Sequence, residues 1–167
     1  MQRIAKFSKV SWEQFVKDWR EEYGTDDEVI RKIYCGIDVP KRATKGSAGY
    51  DFFSPIRFTL APGNTIKIPT GIRCEMNEDW VLMCFPRSGL GFKYRLRLNN
   101  TVWIIDSDFA FSDNEGHIFI KLTNEGDCPM VIKAGDGFAQ GIFVQYGITE
   151  DDNCDEIRNG GFGSTTK

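Results

Sequence analysis

Apolar residues recur at helical spacing in the first part of the chain. Ser11 is followed three residues later by Gln14, the pattern of a helix-capping box, and apolar residues then return every three or four positions. These positions are Trp12, Phe15, Val16, Trp19 and Tyr23. The spacing predicts an amphipathic helix over residues 11–23 whose aromatic stripe docks on the core. Residues 25–28 offer a second cap, so a short second helix is expected directly after them.

After Pro40 the pattern changes to short apolar or alternating runs separated by turn-forming residues. Residues 93–98 alternate basic and apolar side chains, which predicts a strand with one basic face. Many short strands at roughly ten-residue spacing, with helices confined to the start of the chain, are typical of an antiparallel sandwich or barrel. The sequence therefore predicts an all-β fold with an N-terminal helical extension.

Four apolar residues at positions 102–105 run into Asp106, which has no opposite charge beside it in the sequence. A run rich in Val, Ile and Trp predicts a buried strand. The aspartate at its end either starts a turn or is held where water is scarce and its basicity matters. Two arginine- and glycine-containing segments, residues 86–89 and 158–164, favour the second interpretation, because such segments can hold phosphates.

Composition and charge exclude several classes of function. The 167 residues are 41% hydrophobic and 13% aromatic, which predicts one globular domain with a sizeable core. The net charge of −3 argues against a nucleic-acid or anionic-membrane surface. No apolar run approaches a membrane span of ~20 residues, and the N-terminus lacks a signal-peptide core. We therefore expect a soluble, cytoplasmic protein.

The cysteine and histidine content limits metal and nucleophile chemistry. Five widely spaced cysteines form no C-x-x-C pair, and the single histidine, His117, cannot complete a zinc site by spacing. We expect free structural thiols. A serine hydrolase scheme would need His117 as the base for Ser88, and nothing in the sequence suggests that pairing.

Five segments together resemble the motifs of the trimeric dUTPases, in the order of that family. The segments are Gly46-Ser-Ala-Gly-Tyr-Asp51, Pro86-Arg-Ser-Gly-Leu-Gly91, Asn100 through Phe109, Gly135-Asp-Gly-Phe-Ala-Gln140 and Arg158 through Thr165. Any one of these motifs alone would be weak evidence for the resemblance. All five in register, with a family-like gap between Arg87 and Asp106, are strong evidence. The resemblance covers about residues 40–167.

The resemblance implies a fold, a domain organisation and an assembly. The fold would be an antiparallel jelly roll or distorted barrel, the dUTPase-like β-clip. Residues 1–35 would form a helical extension, residues 36–150 the β-domain, and residues 151–167 a flexible, glycine-rich arm that completes the active site. The family forms homotrimers with shared sites, which implies that each site takes Asp106 and the arm from different chains.

The resemblance also implies the reaction, hydrolysis of dUTP to dUMP and pyrophosphate with Mg²⁺. This reaction keeps uracil out of DNA and supplies dUMP for dTMP synthesis. Asp106 would hold and activate the attacking water, burial beside an apolar hairpin would raise its proton affinity, and Asp51 would reach the metal through a water. The phosphate contacts would come from Arg87, Ser88, Gly89, Gln140 and Arg158.

Selection of the base and the sugar is implied at the hairpin and the arm. Asn100 and backbone groups near Ile104, Ile105 and Phe119 would recognise the uracil edge. Phe109 stands where the family usually has Tyr and would pack against the deoxyribose, which excludes a ribose 2′-hydroxyl. Phe162 would stack on the uracil beside Gly163. Other departures are Trp103, at a usually small position, and a longer turn from Phe111 to Gly116.

Two other interpretations stay open at the level of the sequence. A dCTP deaminase shares the fold, although that family lacks the glycine-rich arm and its deaminating Glu has no counterpart in the hairpin region here. A non-catalytic nucleotide-binding or regulatory protein would use the N-terminal helices to dock a partner. The presence of Asp106 argues against a site without catalysis.

Overall fold

The computed structural model describes residues 2–158 and Gly160, which form twelve strands, three α-helices and one 3-10 helix. The helices are α1 (Trp12–Tyr23), α2 (Asp27–Cys35), α3 (Ser88–Tyr94) and the 3-10 helix (Ser107–Phe111). The strands are β1 (Ala5–Lys9), β2 (Lys41–Arg42), β3 (Tyr50–Phe53), β4 (Phe58–Leu60), β5 (Thr65–Pro69), β6 (Ile72–Met76), β7 (Trp80–Pro86), β8 (Leu96–Leu98), β9 (Trp103–Ile105), β10 (Phe119–Asn124), β11 (Met130–Ile132) and β12 (Gly137–Gln145).

The strands form four small antiparallel sheets. The largest has the order β2-β3-β12-β7-β9, and the others are β5-β10-β8, β1-β6 and β11-β4. Within strands the burial alternates, so that β8, β9 and β11 each bury two residues around an exposed one. The inward-facing side chains meet in one hydrophobic core. The predicted all-β antiparallel architecture is confirmed.

The N-terminal helices pack on this core. Ser11 caps α1 by accepting a hydrogen bond from the Gln14 amide at 3.1 Å, as the capping box predicts. Phe15 and Trp19 are fully buried, so the aromatic stripe does dock on its own chain. Helix α2 is capped by Asp26. The core of the β-domain therefore extends into residues 1–35.

The strand predicted over residues 93–98 is wrong for its first half. Residues through Tyr94 belong to α3, whose Leu90 and Tyr94 lie four residues apart and both pack against the core. Arg95 adopts a left-handed conformation (φ 47°) that ends the helix. Helical spacing of core contacts overrides the alternation there, and the strand begins only at Leu96.

The hairpin predicted around Asn100 is also different in the structure. Strands β8 and β9 flank that turn, yet β8 pairs with β10 and β9 pairs with β7, so they belong to different sheets. The connection includes Thr101 at φ 66°, an uncommon conformation for a threonine. The two strands therefore separate at this turn and do not continue as a pair.

No helix within residues 2–158 is long and apolar enough to cross a membrane. All five cysteines are free: Cys74 and Cys84 are buried, and the other three are exposed. Burial, with a contribution from Glu75, raises the pKa of Cys74 to about 12, so this thiol stays protonated at neutral pH. The expectation of free thiols is confirmed.

Candidate active site

Most of the predicted metal and phosphate residues meet at one end of β7, whereas Arg158 lies with Asp106. Gln140 in β12 pairs with Asp51 on one side and with Phe85 on the other, which brings β3, β12 and β7 side by side. Arg87, directly after β7, places its Nε 3.3 Å from Asp51 Oδ1 and its Nη1 3.4 Å from the Gly137 carbonyl oxygen. Three of the five motifs thus converge on Arg87.

Glycine at position 137 is required by this arrangement. A Cβ there would lie 2.8 Å from Arg87 Nη1 and 3.1 Å from Arg87 Cδ, so a larger residue would displace the arginine. Gly49 is similar, because a Cβ there would lie 2.8 Å from Gln140 Oε1. The side chains of Arg87 and Gln140 therefore occupy space that two glycines leave open.

A cleft of about 460 Å³ opens beside Arg87. Its walls are Arg87, Ser88, Gly89, Leu90, Lys93, Tyr94, Val131, Ile132, Asp136 and Gly137. Ser88 and Gly89 are exposed at the start of α3, and Lys93 follows on the same helix. The sequence assigned Lys93 to the basic face of a strand, and only the helix shows that it lines the cleft.

Asp106 lies after β9, at the start of the 3-10 helix, and it is not buried. Its side chain is 51% exposed, and its Oδ2 lies 2.5 Å from Arg158 Nη2. Within its own chain the carboxylate is therefore not buried, because it projects from the strand end into solvent. The expectation that burial raises its proton affinity concerns the complete site and stays a prediction. The residue before it, Ile105, is buried.

Arg158 connects the arm to this carboxylate and to a second one. Its Nε lies 2.8 Å from Asp108 Oδ1, and its guanidinium carbon lies 5.8 Å from the centre of the buried Phe109 ring. Asp108 was not among the predicted site residues, although its position two residues from Asp106 would have been a signal. This contact is within one subunit, whereas the predicted crossing of the arm concerns an assembly and stays a prediction.

The residues predicted to recognise uracil lie near the β8–β9 turn and β10. Asn100 is exposed, Ile104 is 47% exposed, Ile105 is buried and Phe119 is partly buried. Asn100 accepts a hydrogen bond from the Val102 amide at 2.7 Å through its backbone carbonyl. Phe162 and Gly163 lie outside the described residues.

The residues around Arg87 and the residues around Asp106 lie at opposite ends of β7. The antiparallel register sets Leu82 opposite Ile105, so Asp106 lies beside residue 81, six residues before Arg87. At about 3.3 Å per residue this separation is roughly 20 Å along the strand. Within one chain, Asp106 therefore cannot reach a phosphate held by Arg87.

The site fits a metal ion that is bound mainly by the phosphates of a substrate and only weakly by the protein. Within residues 2–158, no group of three His, Cys, Asp or Glu side chains could hold an ion, and Asp51 is the carboxylate beside Arg87. The largely buried Asp51 carboxylate suits Mg²⁺, because that ion keeps its waters and is usually bound through substrate phosphates.

His117 cannot serve as a base for Ser88. Its ring is fully buried, Nε2 accepts a hydrogen bond from the Gly71 amide at 2.8 Å, and Nδ1 lies 2.5 Å from Asp18 Oδ2. Because both ring nitrogens are engaged away from the cleft, the exclusion of a serine hydrolase holds.

Comparison with known proteins gives one family. The dUTPase family model matches residues 36–166. The deoxyuridine 5'-triphosphate nucleotidohydrolase of Lactococcus lactis is 40% identical over 142 residues, which are 83% of this chain and 95% of the relative.

Solved structures agree. The dUTPase from Streptococcus mutans has a TM-score of 0.64 at 31% identity and covers 86% of this chain and 98% of its own. A mutant dUTPase from phage phi11 of S. aureus, described with a structural Mg(II) ion, has a TM-score of 0.62 over 92% of this chain and 98% of its own. At 19% identity the phage structure supports the fold alone. Together these matches confirm the jelly-roll-like fold expected from the motifs.

Proposed function

The chain belongs to the dUTPase family, and we propose that it hydrolyses dUTP to dUMP and pyrophosphate at sites shared between the subunits of a homotrimer. The observation that carries the shared site is the separation of Arg87 and Asp106 along β7. The activity itself follows from the family, to which the matched residues 36–166 assign this chain.

Asp106 is proposed to activate the water. It accepts a proton as the water oxygen attacks the α-phosphorus, and the bond from that phosphorus to the bridging oxygen breaks, so that pyrophosphate leaves. Asp106 is paired with Arg158 in the structure. Because phosphate oxygens compete for a guanidinium, a triphosphate bound at the neighbouring site that the arm reaches would draw Arg158 away and leave this carboxylate free for the water.

The opposite end of β7 is proposed to bind the phosphates. Arg87 supplies the positive charge, and the Ser88 hydroxyl donates a hydrogen bond from the next residue. The amides of a first helical turn lack acceptors within the helix, so the Gly89 N–H is able to donate to a phosphate oxygen. Gln140 supports this side, since its Nε2 donates to the Pro86 carbonyl at 3.4 Å.

Asp51 is proposed to hold Mg²⁺ through a water, together with the phosphates of the substrate. When bound, the ion would neutralise charge on those phosphates. Asp51 Oδ1 already lies 3.3 Å from Arg87 Nε, so its carboxylate faces the phosphate side.

Selection of the nucleotide is proposed to lie with Asn100, the backbone near Ile104, Ile105 and Phe119, and the ring of Phe109. A cytosine would leave buried groups at the uracil edge unpaired, at about 1–3 kcal/mol each. Phe109 would exclude ribose by burying its 2′-hydroxyl without a partner. The arm would add Phe162 over the base, beside Gly163, where stacking contributes ~1–3 kcal/mol.

The shared site follows from the same geometry. If Arg87 and the α-phosphate lie at one end of β7, the general base must come from a second copy of the chain. The Asp106 end of that second copy would be placed against the Arg87 end of the first. A cyclic trimer repeats one such interface three times and completes every site. The residues 151–167 would form the arm that closes it.

The experiment that tests this proposal is pyrophosphate release from dUTP, dCTP, dTTP and UTP in the presence of Mg²⁺. We expect rapid release from dUTP and little from the other three. Deamination of dCTP without pyrophosphate would indicate a deaminase, and binding of dUTP without turnover would indicate a regulatory protein. Either result would contradict the proposal.

A further inference from the structure

Helix α1, which lies outside the residues matched by the family model, contacts the segment that follows Asp106. Asp18 and His117 form a buried pair, with Nδ1 of the histidine 2.5 Å from Asp18 Oδ2. Because the Gly71 amide can only donate to Nε2, a neutral ring carries its proton on Nδ1 and donates it to Asp18. Gln14 Nε2 donates to the same carboxylate oxygen at 2.8 Å. This contact fixes the end of the segment to α1.

A second contact fixes Glu115, two residues before His117, to the start of the same helix. The Ser11 amide donates to Glu115 Oε2 at 2.7 Å, and its hydroxyl lies 2.6 Å from Oε1. Ser11 also caps α1, so the start of the helix and the turn are joined through one residue. Glu115 lies in the Phe111–Gly116 turn that is longer than usual for the family. The N-terminal extension and the long turn therefore form one unit.

The turn from Phe111 to Gly116 also contacts the 3-10 helix that carries Phe109. A Cβ at Gly116 would lie 2.6 Å from Ala110 Cα and 2.8 Å from the Phe109 carbonyl oxygen, so the two backbones are in direct contact. The same Phe109 carbonyl accepts hydrogen bonds from the Ser112 hydroxyl at 2.7 Å and the Ser112 amide at 3.1 Å. Displacing the turn would therefore displace Phe109.

We propose that α1 is a positioning element for the sugar-packing Phe109, and that Asp18 and Glu115 set the preference for deoxyribose through it. The inference rests on the proposed role of Phe109 in excluding ribose. The contacts of Asp18 and Glu115 with the two ends of this unit keep the Phe109 ring at a fixed distance from the 2′ carbon of the sugar. Without them the ring could move and leave room for a 2′-hydroxyl. The N-terminal extension then has a role in specificity as well as in stability.

The test compares kcat/KM for dUTP and UTP in matched variants, each assayed well below its melting temperature. Asp18→Leu removes the acceptor for His117 and keeps only the branching of the side chain, whereas Asp18→Asn keeps an oxygen there. Glu115→Ala removes the second contact at a half-buried position. We expect Asp18→Leu and Glu115→Ala each to lower the dUTP/UTP ratio by about tenfold or more, and Asp18→Asn to stay within about twofold of wild type.

Two controls separate the possible failures. Phe109→Ala tests the sugar-packing role directly and should lower the ratio. Met130→Ala creates a cavity in β11, away from α1, and should lower stability while leaving the ratio unchanged.

The inference is overturned if Phe109→Ala lowers the ratio and neither Asp18→Leu nor Glu115→Ala does. It is also overturned if Met130→Ala lowers the ratio as much as they do. If Phe109→Ala has no effect, the role of Phe109 in the proposed function fails, and the inference that rests on it fails with it. Should Asp18→Leu not fold, Glu115→Ala decides the outcome.

Discussion

Replacing Asp106 by asparagine removes the proposed proton acceptor and one of the two carboxylates that pair with Arg158. The shape of the side chain is kept. We therefore expect tight binding of dUTP with turnover reduced by ~10²–10⁴, the usual contribution of a general base.

The expected effect on stability is small and follows from the exposure of the pair. Asp106 is 51% exposed, and an ion pair of that exposure contributes roughly 0–1 kcal/mol. For a chain of this size, 1 kcal/mol shifts the melting temperature by about 2–4 °C, so the variant should melt within that range of wild type. Loss of activity would then not reflect loss of folding.

Asp108→Asn is the matched control. Asp108 pairs with the same Arg158 at 2.8 Å and is equally exposed, so its replacement removes a comparable ion pair. It keeps the proposed base, and we expect its kcat to stay within about tenfold of wild type. Single-turnover measurement of pyrophosphate release would compare the two. Turnover of Asp106→Asn above a third of the wild-type rate would refute the role of Asp106, and equal losses in both variants would trace the effect to Arg158.

Three further predictions concern the sugar, the pH dependence and the arm. Phe109→Tyr should leave the dUTP/UTP preference nearly unchanged, and a large change would mean that the ring alone does not exclude ribose. Burial by itself would raise the pKa of Glu115, but hydrogen bonds from Ser11, with the nearby Arg73 guanidinium, lower it from an ordinary value of 4.5. The stabilisation that the ionised Glu115 contributes is therefore complete above that value and lost as the pH falls through the folded pKa, so the melting-temperature difference from Glu115→Gln should shrink on acidification below 4.5. A difference that grows on acidification would contradict this sign. Refolding Asp106→Asn with a chain ending at Ile157 should restore activity if arms cross between subunits, and an equally inactive mixture of proven mixed trimers would exclude the crossing.

The periodic parts of the fold could be predicted from sequence because their spacing reports burial directly. Helix α1 appears where Phe15 and Trp19 recur at helical spacing, and β7 covers the apolar run of residues 80–85. Residues 93–94 could not be placed, because alternation in a short segment does not reveal that Tyr94 packs four residues after Leu90. The sequence fits both a strand-like alternation and a helical spacing there, and tertiary packing favours the helix.

The candidate site was predicted by residue type and not by arrangement. The motifs identified Asp51, Arg87 and Asp106, yet only the register of β7 with β9 shows that the first two are separated from the third. Exposure of Asp106 was missed because a buried strand does not imply a buried residue after its end. The Asp18–His117 pair joins residues 99 positions apart, a contact that no local pattern indicates.

The central claim is that a complete site needs Arg87 from one subunit and Asp106 from another, and mixing two inactive variants tests it most directly. Arg87→Ala and Asp106→Asn should each be nearly inactive as homotrimers. Unfolded together in equal amounts and refolded, they should regain dUTP hydrolysis, because about a quarter of randomly assembled sites combine an intact Arg87 with an intact Asp106. Native mass spectrometry would establish that mixed trimers form. Recovery to roughly a quarter of wild-type activity is the result predicted by the ~20 Å separation along β7. Mixed trimers that stay as inactive as their parents would show that each site is built within one chain and would contradict the account.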